Sequence, residues 1–282
     1  MIIDVIADSF IDSIRLVPFL FVTYLVMEYL EHSAGGRMQE AVRRAGRGGP
    51  VIGGILGVFP QCGFSAAASN LYAGRIISTG TLLAVFLSTS DEMLPIMISE
   101  NVGAGVILKI LAVKVFVAVL AGFLVDLVLG RGEKDMQIEH LCEQHHCHCE
   151  RGIFRSALHH TAEIFCYLFI VSLALNLLIA WIGEDMLGSI VLNRPVAGAL
   201  LAGIVGLIPN CAGSVVITQL YLSGVLSAGA MIAGLLAGTG VGYLVLLRVN
   251  DDRRDNLKFL GLLYATGVLA GIIIEMLGIS FL

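Results

Sequence analysis

Apolar residues along this chain come in runs of roughly 18 or more, separated by short polar stretches. That pattern predicts helices long enough to cross a bilayer rather than amphipathic helices of a soluble core. The order of elements is a long first helix over about 8–31, a Gly-rich segment over about 51–74 broken at "FPQCGFS", a third helix over about 77–98 and a fourth over about 104–129. The same order returns over about 157–181, 200–223 (broken at "IPNCAGS"), 226–247 and 258–281, after a polar stretch at 130–156. The expected class is an all-α polytopic membrane protein.

Composition agrees. Of 282 residues, 57% are hydrophobic and 14% are charged, where soluble domains carry about 25% charged residues, and the mean hydropathy is +0.90. The first residues lack the basic start and small-residue cleavage site of a removable signal. A net charge of −5 says little, because the placement of Lys and Arg matters more than their sum. The six cysteines do not read as a disulfide framework: Cys62, Cys166 and Cys211 lie in apolar segments, and Cys142, Cys147 and Cys149 in a His-rich polar tract.

Shifted by 149 residues, the chain matches itself without a gap. Pro60, Cys62 and Ser65 fall on Pro209, Cys211 and Ser214; Gly54 and Gly57 on Gly203 and Gly206; Ser78 and Gly80 on Ser227 and Gly229. Lys109 falls on Lys258, and "VLAG" at 119–122 on "VLAG" at 268–271. Residues 1–129 therefore read as repeat 1, 130–156 as a cytoplasmic His/Cys-rich linker and 157–282 as repeat 2.

Each arm of a broken segment holds about ten residues, or roughly 15 Å of helix, half of a hydrocarbon core of about 30 Å. If the segment turns back as a hairpin, Arg37, Arg43, Arg44, Arg47, Arg75, Arg131, Lys134, Arg151, Arg155, Arg248, Arg253, Arg254 and Lys258 collect on one side, leaving Arg194 and little else on the other. If it spans, the basic loops at 37–47 and 131–155 land on opposite sides. The positive-inside rule favours the hairpin. Three crossings per unit then invert the second repeat relative to the first. The expected architecture is two inverted repeats, each with three crossings and one re-entrant hairpin, in the inner (plasma) membrane with both termini outside.

Inverted hairpins of half depth bring Gln61, Cys62, Asn210 and Cys211 together near the midplane, where non-helical backbone is tolerated only inside protein or beside a wet cavity. Pro60 and Pro209 end the first arms, and Ser65 and Ser214 can cap the second. "STSDEM" (88–93) places Ser90, Asp91 and Glu92 inside the third helix; "GTGVG" (238–242), with Thr239, stands at the equivalent place. Both third helices are expected to open there. Asp91 comes about 10 Å below the outer edge, Lys114 reaches a comparable depth, and intramembrane charges are functional by default. The substrate-binding candidates are thus Gln61, Cys62, Ser65, Ser90, Asp91, Glu92, Asn210, Cys211, Ser214 and Thr239, with Asp91, Glu92 and Lys114 as an ion-pairing and coupling group. "HLCEQHHCHCE" (140–150) offers Cys142, His145, His146, Cys147, His148 and Cys149 to a soft or borderline metal. It lacks finger spacing and reads as a collecting loop, from which His159 and His160 could receive ions.

"PFLFVTYLVMEYLEH", the paired "FPQCGFS" and "IPNCAGS", "STSDE" and the His/Cys linker resemble the ten-transmembrane heavy-metal exporters, a family also labelled manganese transporters or arsenic efflux proteins. Counting each hairpin arm separately gives ten membrane segments, in agreement with the family's name. The resemblance implies export of a metal or metalloid from the cytoplasm.

The residues alone leave the cargo open. Thiolates at Cys62 and Cys211 suit arsenite or Zn²⁺; Asp91, Glu92, Gln61 and Asn210 suit Mn²⁺. Helix N-termini at the hairpin tips suit an anionic solute, with Lys114 as binder. A membrane thiol carrier would use Cys62 and Cys211 as a disulfide/dithiol pair, though it has no need of a buried acid pair or a metal-gathering linker. No catalytic triad, HExxH or nucleotide-binding loop is present, so neither an enzyme nor an ATP-driven pump is expected. No cofactor or nucleic acid is expected beside the bilayer and the transported ion, and the small-residue helix faces allow a homodimer.

Overall fold

The computed structural model describes residues 48–58, 62–90, 93–129, 195–209 and 211–281, with isolated positions between 10 and 25 and between 154 and 177. The described regular structure is helical, with no strand among the described residues. The first unit holds α1 (Gly49–Leu56), α2 (Cys62–Ala73), α3 (Thr79–Ser88), α4 (Met93–Ser99) and α5 (Ala104–Val128). The second holds α6 (Pro195–Gly206), α7 (Cys211–Leu222), α8 (Ala228–Leu236), α9 (Gly240–Val249) and α10 (Arg253–Met276).

Local chemistry starts the third helix of each unit in the same way. Ser78 caps α3 by accepting from the Thr81 amide at 3.1 Å, and Ser227 caps α8 by accepting from the Ala230 amide at 3.3 Å. A carboxylate from the last long helix completes each cap. Asp126 accepts from the Gly80 amide (2.8 Å) and the Ser78 hydroxyl (2.7 Å), and Glu275 accepts from the Gly229 amide at 3.1 Å. Both acids thereby satisfy amides with no intrahelical partner and complement the positive end of a helix dipole.

Glycines then set the packing distance. A Cβ on Gly80 would fall 2.0 Å from the Gly122 carbonyl, and one on Gly229 would fall 2.5 Å from that of Gly271, so α3–α5 and α8–α10 touch backbone to backbone. Gly54 meets Val119, and Gly203 meets Val268, each at 2.7 Å from the Cβ that is not there. Every one of these partners is 149 positions from its counterpart.

The contacts also give running directions. Gly49 lies against Thr81 at the start of α3 and Gly57 against Ser88 at its end, so α1 and α3 are parallel. Gly80 lies against Asp126, while Thr89 lies against Lys114, so α3 and α5 are antiparallel. Between the units, α2 packs on α9: the Ser69 hydroxyl is 2.9 Å from the Gly242 carbonyl, and Gly242 has no room for a Cβ beside Ser65. In return, α7 packs on α4. Phe86 on α3 meets Phe259 on α10 edge to face at 5.1 Å. Where the first and fifth predicted helices are described, Phe10 meets Phe165 and Phe169 while Phe21 meets Phe154, an antiparallel order.

Among the described residues, four stretches are long and apolar enough to cross a bilayer: Thr79–Ser99, Ala104–Val128, Ala228–Val249 and Arg253–Met276. Their outward faces on α5 and α10 carry Leu108, Phe116, Leu127, Leu269 and Ile273, side chains suited to lipid. By contrast α1, α2, α6 and α7 hold 8 to 12 residues each, about 12–18 Å of helix, too short to cross alone. The chain is a multi-pass membrane protein. Three boundaries differ from expectation, one of them the end of α10 at Met276 rather than near 281. Helix α6 begins at Pro195 rather than near 200, since a proline suits the first helical position. Helix α10 begins at Arg253 rather than 258, because Asp252 caps it through the Arg254 and Asp255 amides.

Candidate functional site

The two transmembrane stretches that begin at Thr79 and Ala228 are each interrupted near their middle. Helix α3 ends at Ser88 and α4 starts at Met93; α8 ends at Leu236 and α9 starts at Gly240. An interruption at this depth leaves backbone groups that must find other partners. At the second break the neighbouring α6–α7 connection supplies them. The Thr239 amide donates to the Gly206 carbonyl at 3.1 Å, and its hydroxyl donates to the Leu207 carbonyl at 3.0 Å. At the first break, the Ser90 hydroxyl donates to the Ser88 carbonyl at 3.0 Å, and the Lys114 ammonium donates to the Thr89 carbonyl. Gly57, at the end of α1, lies against Ser88 and the Val85 carbonyl; its counterpart Gly206 lies against Gly234 and Ala237.

Buried polar side chains lie at the breaks and along α2 and α7 beside them. Ser65, Ser69, Asn70, Ser88, Ser90, Lys114, Thr218 and Thr239 are each at most 2% exposed. Several hydroxyls bond the carbonyl one turn back in their own helix: Ser69 to Ser65 at 2.9 Å, Ser88 to Ala84 at 2.8 Å and Thr218 to Ser214 at 2.7 Å. Such back-bonding satisfies the donor within its own helix; the Ser69 hydroxyl also lies within bonding distance of the Gly242 carbonyl, its partner across the units. Ser69 and Thr218 occupy equivalent positions of the two units. The sequence reading missed them, although the 149-residue register, carried four positions beyond Ser65 and Ser214, pairs them.

The expected site residues fare unequally. Cys62 and Cys211 open α2 and α7. Ser65 and Ser214 are therefore not capping residues: each is the fourth residue of a helix that resumes directly at the cysteine. Ser65 instead packs against Gly242 of the other unit. Ser90, Thr239 and Lys114 line the two breaks as given above. Gln61, Asn210, Asp91 and Glu92 lie outside the described residues, as do Cys142, His145, His146, Cys147, His148, Cys149 and His160. His159 is exposed. Among the described residues, no three His, Cys, Asp or Glu side chains gather closely enough to hold a metal.

Among the described residues of the site, Lys114 is a fully buried cation. A buried ammonium is held only where carbonyl dipoles or opposite charge compensate its lost hydration. Its Thr89 contact stands two positions before Asp91.

No curated protein and no solved structure matches the chain. The family model described as "Putative, 10TM heavy-metal exporter" matches residues 1–187, which takes in α1–α5 and the His/Cys tract. With well over half of the 282 residues matched, the chain belongs to the ten-transmembrane heavy-metal exporter family so described.

Proposed function

We propose that the chain is a secondary-active exporter of a heavy-metal or divalent cation of the Mn²⁺ type, or of a metalloid, working by alternating access. Its frame is two inverted repeats, 1–129 and 157–282, each of three crossings and one re-entrant hairpin, giving ten membrane segments with the linker 130–156 in the cytoplasm. The observation that carries this reading is the exchange of α2 onto α9 and α7 onto α4.

Running directions support it. Since α1 and α3 are parallel and start level, the chain returns between them, and α2 is the returning arm. Contacts at Ser65–Gly242 and then Tyr72–Asp255 make α9 parallel to α2 and hence opposite to α3. The α8–α9 stretch then runs against the α3–α4 stretch, as inversion requires. Arg75, Arg248, Arg253 and Lys258 fall at one end under this order, in keeping with the positive-inside rule.

The substrate site in this reading lies between the helix breaks and the hairpin tips, formed by Gln61, Cys62, Ser65, Ser90, Asp91, Glu92, Asn210, Cys211, Ser214 and Thr239. Thiolates draw soft ions and carboxylates hard ones. Lys114 balances Asp91 and Glu92 when no cation is bound, and an arriving cation takes over that role. The half-depth hairpins offer the moving boundary, because the second arm of each touches both units: α2 packs on α9 and on its own α3, and α7 on α4 and on its own α8. Cys142, His145, His146, Cys147, His148 and Cys149 gather ions on the cytoplasmic side.

Intracellular metal content tests the reading. Cells with and without the chain are challenged with Mn²⁺, Zn²⁺, Co²⁺, Ni²⁺ and arsenite, and metal is measured by elemental mass spectrometry. Lower content of at least one ion in expressing cells is expected. Unchanged content across the panel, with the protein present in the membrane, would reject export. A disulfide trapped between Cys62 and Cys211 in that protein would point to the thiol carrier instead.

A further inference from the structure

Away from the helix breaks, a cavity of about 760 Å³ opens at the basic end, between the close of α2, the start of α3, the close of α5 and the start of α10. Its polar end carries Arg75, Asp252, Asp255 and Lys258, two charges of each sign. Its other wall is apolar, built from Leu124, Val128 and Leu129 at the end of α5 and Leu262 on α10. Leu124, Val128 and Leu129 are exposed by 51%, 82% and 57%, on the surface a bilayer would cover.

Arg75 is held there against its backbone preference. Its φ is +56°, in the left-handed region that L side chains avoid, and the equivalent turn of the second unit uses Gly224 at φ +74°. The Ile76 amide donates to the Leu71 carbonyl across this turn, which closes α2; a glycine would serve it, yet an arginine stands there and lines the cavity. Asp252 spends one oxygen on the α10 cap, and Asp255 accepts from Tyr72 and Asn250 through one oxygen, leaving the second carboxylate oxygen of each for other donors. The second turn of the same helix brings in Lys258, whose long stem can follow apolar surface while its ammonium stays at the polar end.

We propose that this cavity holds an aminophospholipid from the leaflet at the basic end, its phosphate on Arg75 and Lys258 and its primary ammonium toward Asp252 and Asp255. The acyl chains lie along Leu124, Val128 and Leu129. Both signs of charge at one end of an amphipathic cavity match a zwitterionic headgroup better than a bare anion, for which two carboxylates would be repulsive. The lipid bridges the two units, so its presence strengthens the interface whatever ion is carried.

The test needs no transport and no metal. The full chain in mild detergent is offered phosphatidylethanolamine, phosphatidylglycerol and phosphatidylcholine in equal amounts, and bound lipid is read by native mass spectrometry. Preferential retention of phosphatidylethanolamine is expected. Arg75→Gly should lower that retention about tenfold while keeping the fold, since one charge-assisted bond is lost and Gly224 shows that the turn accepts glycine. Lys258→Gln, at an exposed helical position, should do the same. Thermal unfolding verifies that each variant is folded. Equal retention of all three lipids, or unchanged retention in both folded variants, overturns the proposal. Displacement of the lipid by inorganic phosphate or glycerophosphoethanolamine at equal concentration also overturns it, by making the cavity a soluble-phosphate site.

Discussion

The Tyr72 hydroxyl donates to Asp255 Oδ2 at 2.6 Å, tying the last turn of α2 in one unit to the first turn of α10 in the other. The same carboxylate oxygen accepts from Asn250 Nδ2 at 3.3 Å, and Tyr72 also lies 3.2 Å from the Thr79 hydroxyl. The equivalent of Asp255 in the first unit is Val106, which cannot make this carboxylate tie. A hydrogen bond to a charged group contributes about 1.5–3 kcal/mol. Tyr72→Phe and Asp255→Asn should each lower stability by about that amount, and the double variant should lose less than the sum. Denaturation of all four proteins in detergent checks the cycle. Strictly additive losses would show that the two side chains act separately.

Close approach of α2 and α9 depends on Gly242, whose missing Cβ would fall 2.6 Å from Ser65 Cβ. Gly242→Ala should destabilise by about 1–3 kcal/mol through overpacking. Gly261→Ala on α10, where a Cβ meets nothing within 4 Å, serves as the control and should be neutral or mildly stabilising. Melting temperatures of the purified variants separate the two. Equal effects would mean that α2 and α9 tolerate separation.

The proposed inversion of the two units predicts a labelling pattern. Single cysteines at Arg75 and Arg253, and one near Arg43, should react from the cytoplasm with a membrane-impermeant maleimide, and ones at Asn101 and Ser223 only from outside. If positions 75 and 43 report opposite faces, the hairpin and the inversion both fail.

Replacing Cys142, Cys147, Cys149, His145, His146 and His148 together should slow export at low metal and leave the maximal rate nearly intact. A collecting loop raises local supply but does not form the transport site. Rates measured against metal concentration in everted vesicles distinguish the two, and complete loss of export from a folded protein would place the tract on the transport path.

Cys62→Ser and Cys211→Ser should shift selectivity from soft toward harder ions, because oxygen replaces sulfur as a ligand. Asp91→Asn should impair export of hard and soft ions alike if that acid carries charge through the cycle. Competition among arsenite, Zn²⁺ and Mn²⁺ in vesicles reads both effects. Export unchanged in both serine variants would return the cysteines to helix packing.

Much of the frame was legible because duplication wrote it twice. Pro60 with Pro209, Cys62 with Cys211 and Gly80 with Gly229 stand 149 positions apart, and the helices between them begin at equivalent residues: Cys62 and Cys211, Thr79 and Ala228, Ala104 and Arg253. The openings after Ser88 and Leu236 were likewise visible as Ser, Thr and Gly inside apolar runs. These are local properties, since propensity, capping and the depth a helix can reach depend on neighbours in sequence.

What the tertiary structure decided is which surfaces meet. Nothing local says that α2 packs on α9 of the other unit, that Gly242 makes room for Ser65, or that Asp126 and Glu275 finish the caps of α3 and α8. The serines at 65 and 214 looked like caps because their type favours that position, but the helices resume at the cysteines and carry them a turn inside. Arg75 in a left-handed turn, where Gly224 marks the conformation the chain needs, could not be read from either residue alone. Contacts of this kind join positions far apart in sequence, and their energies exist only once the helices are packed.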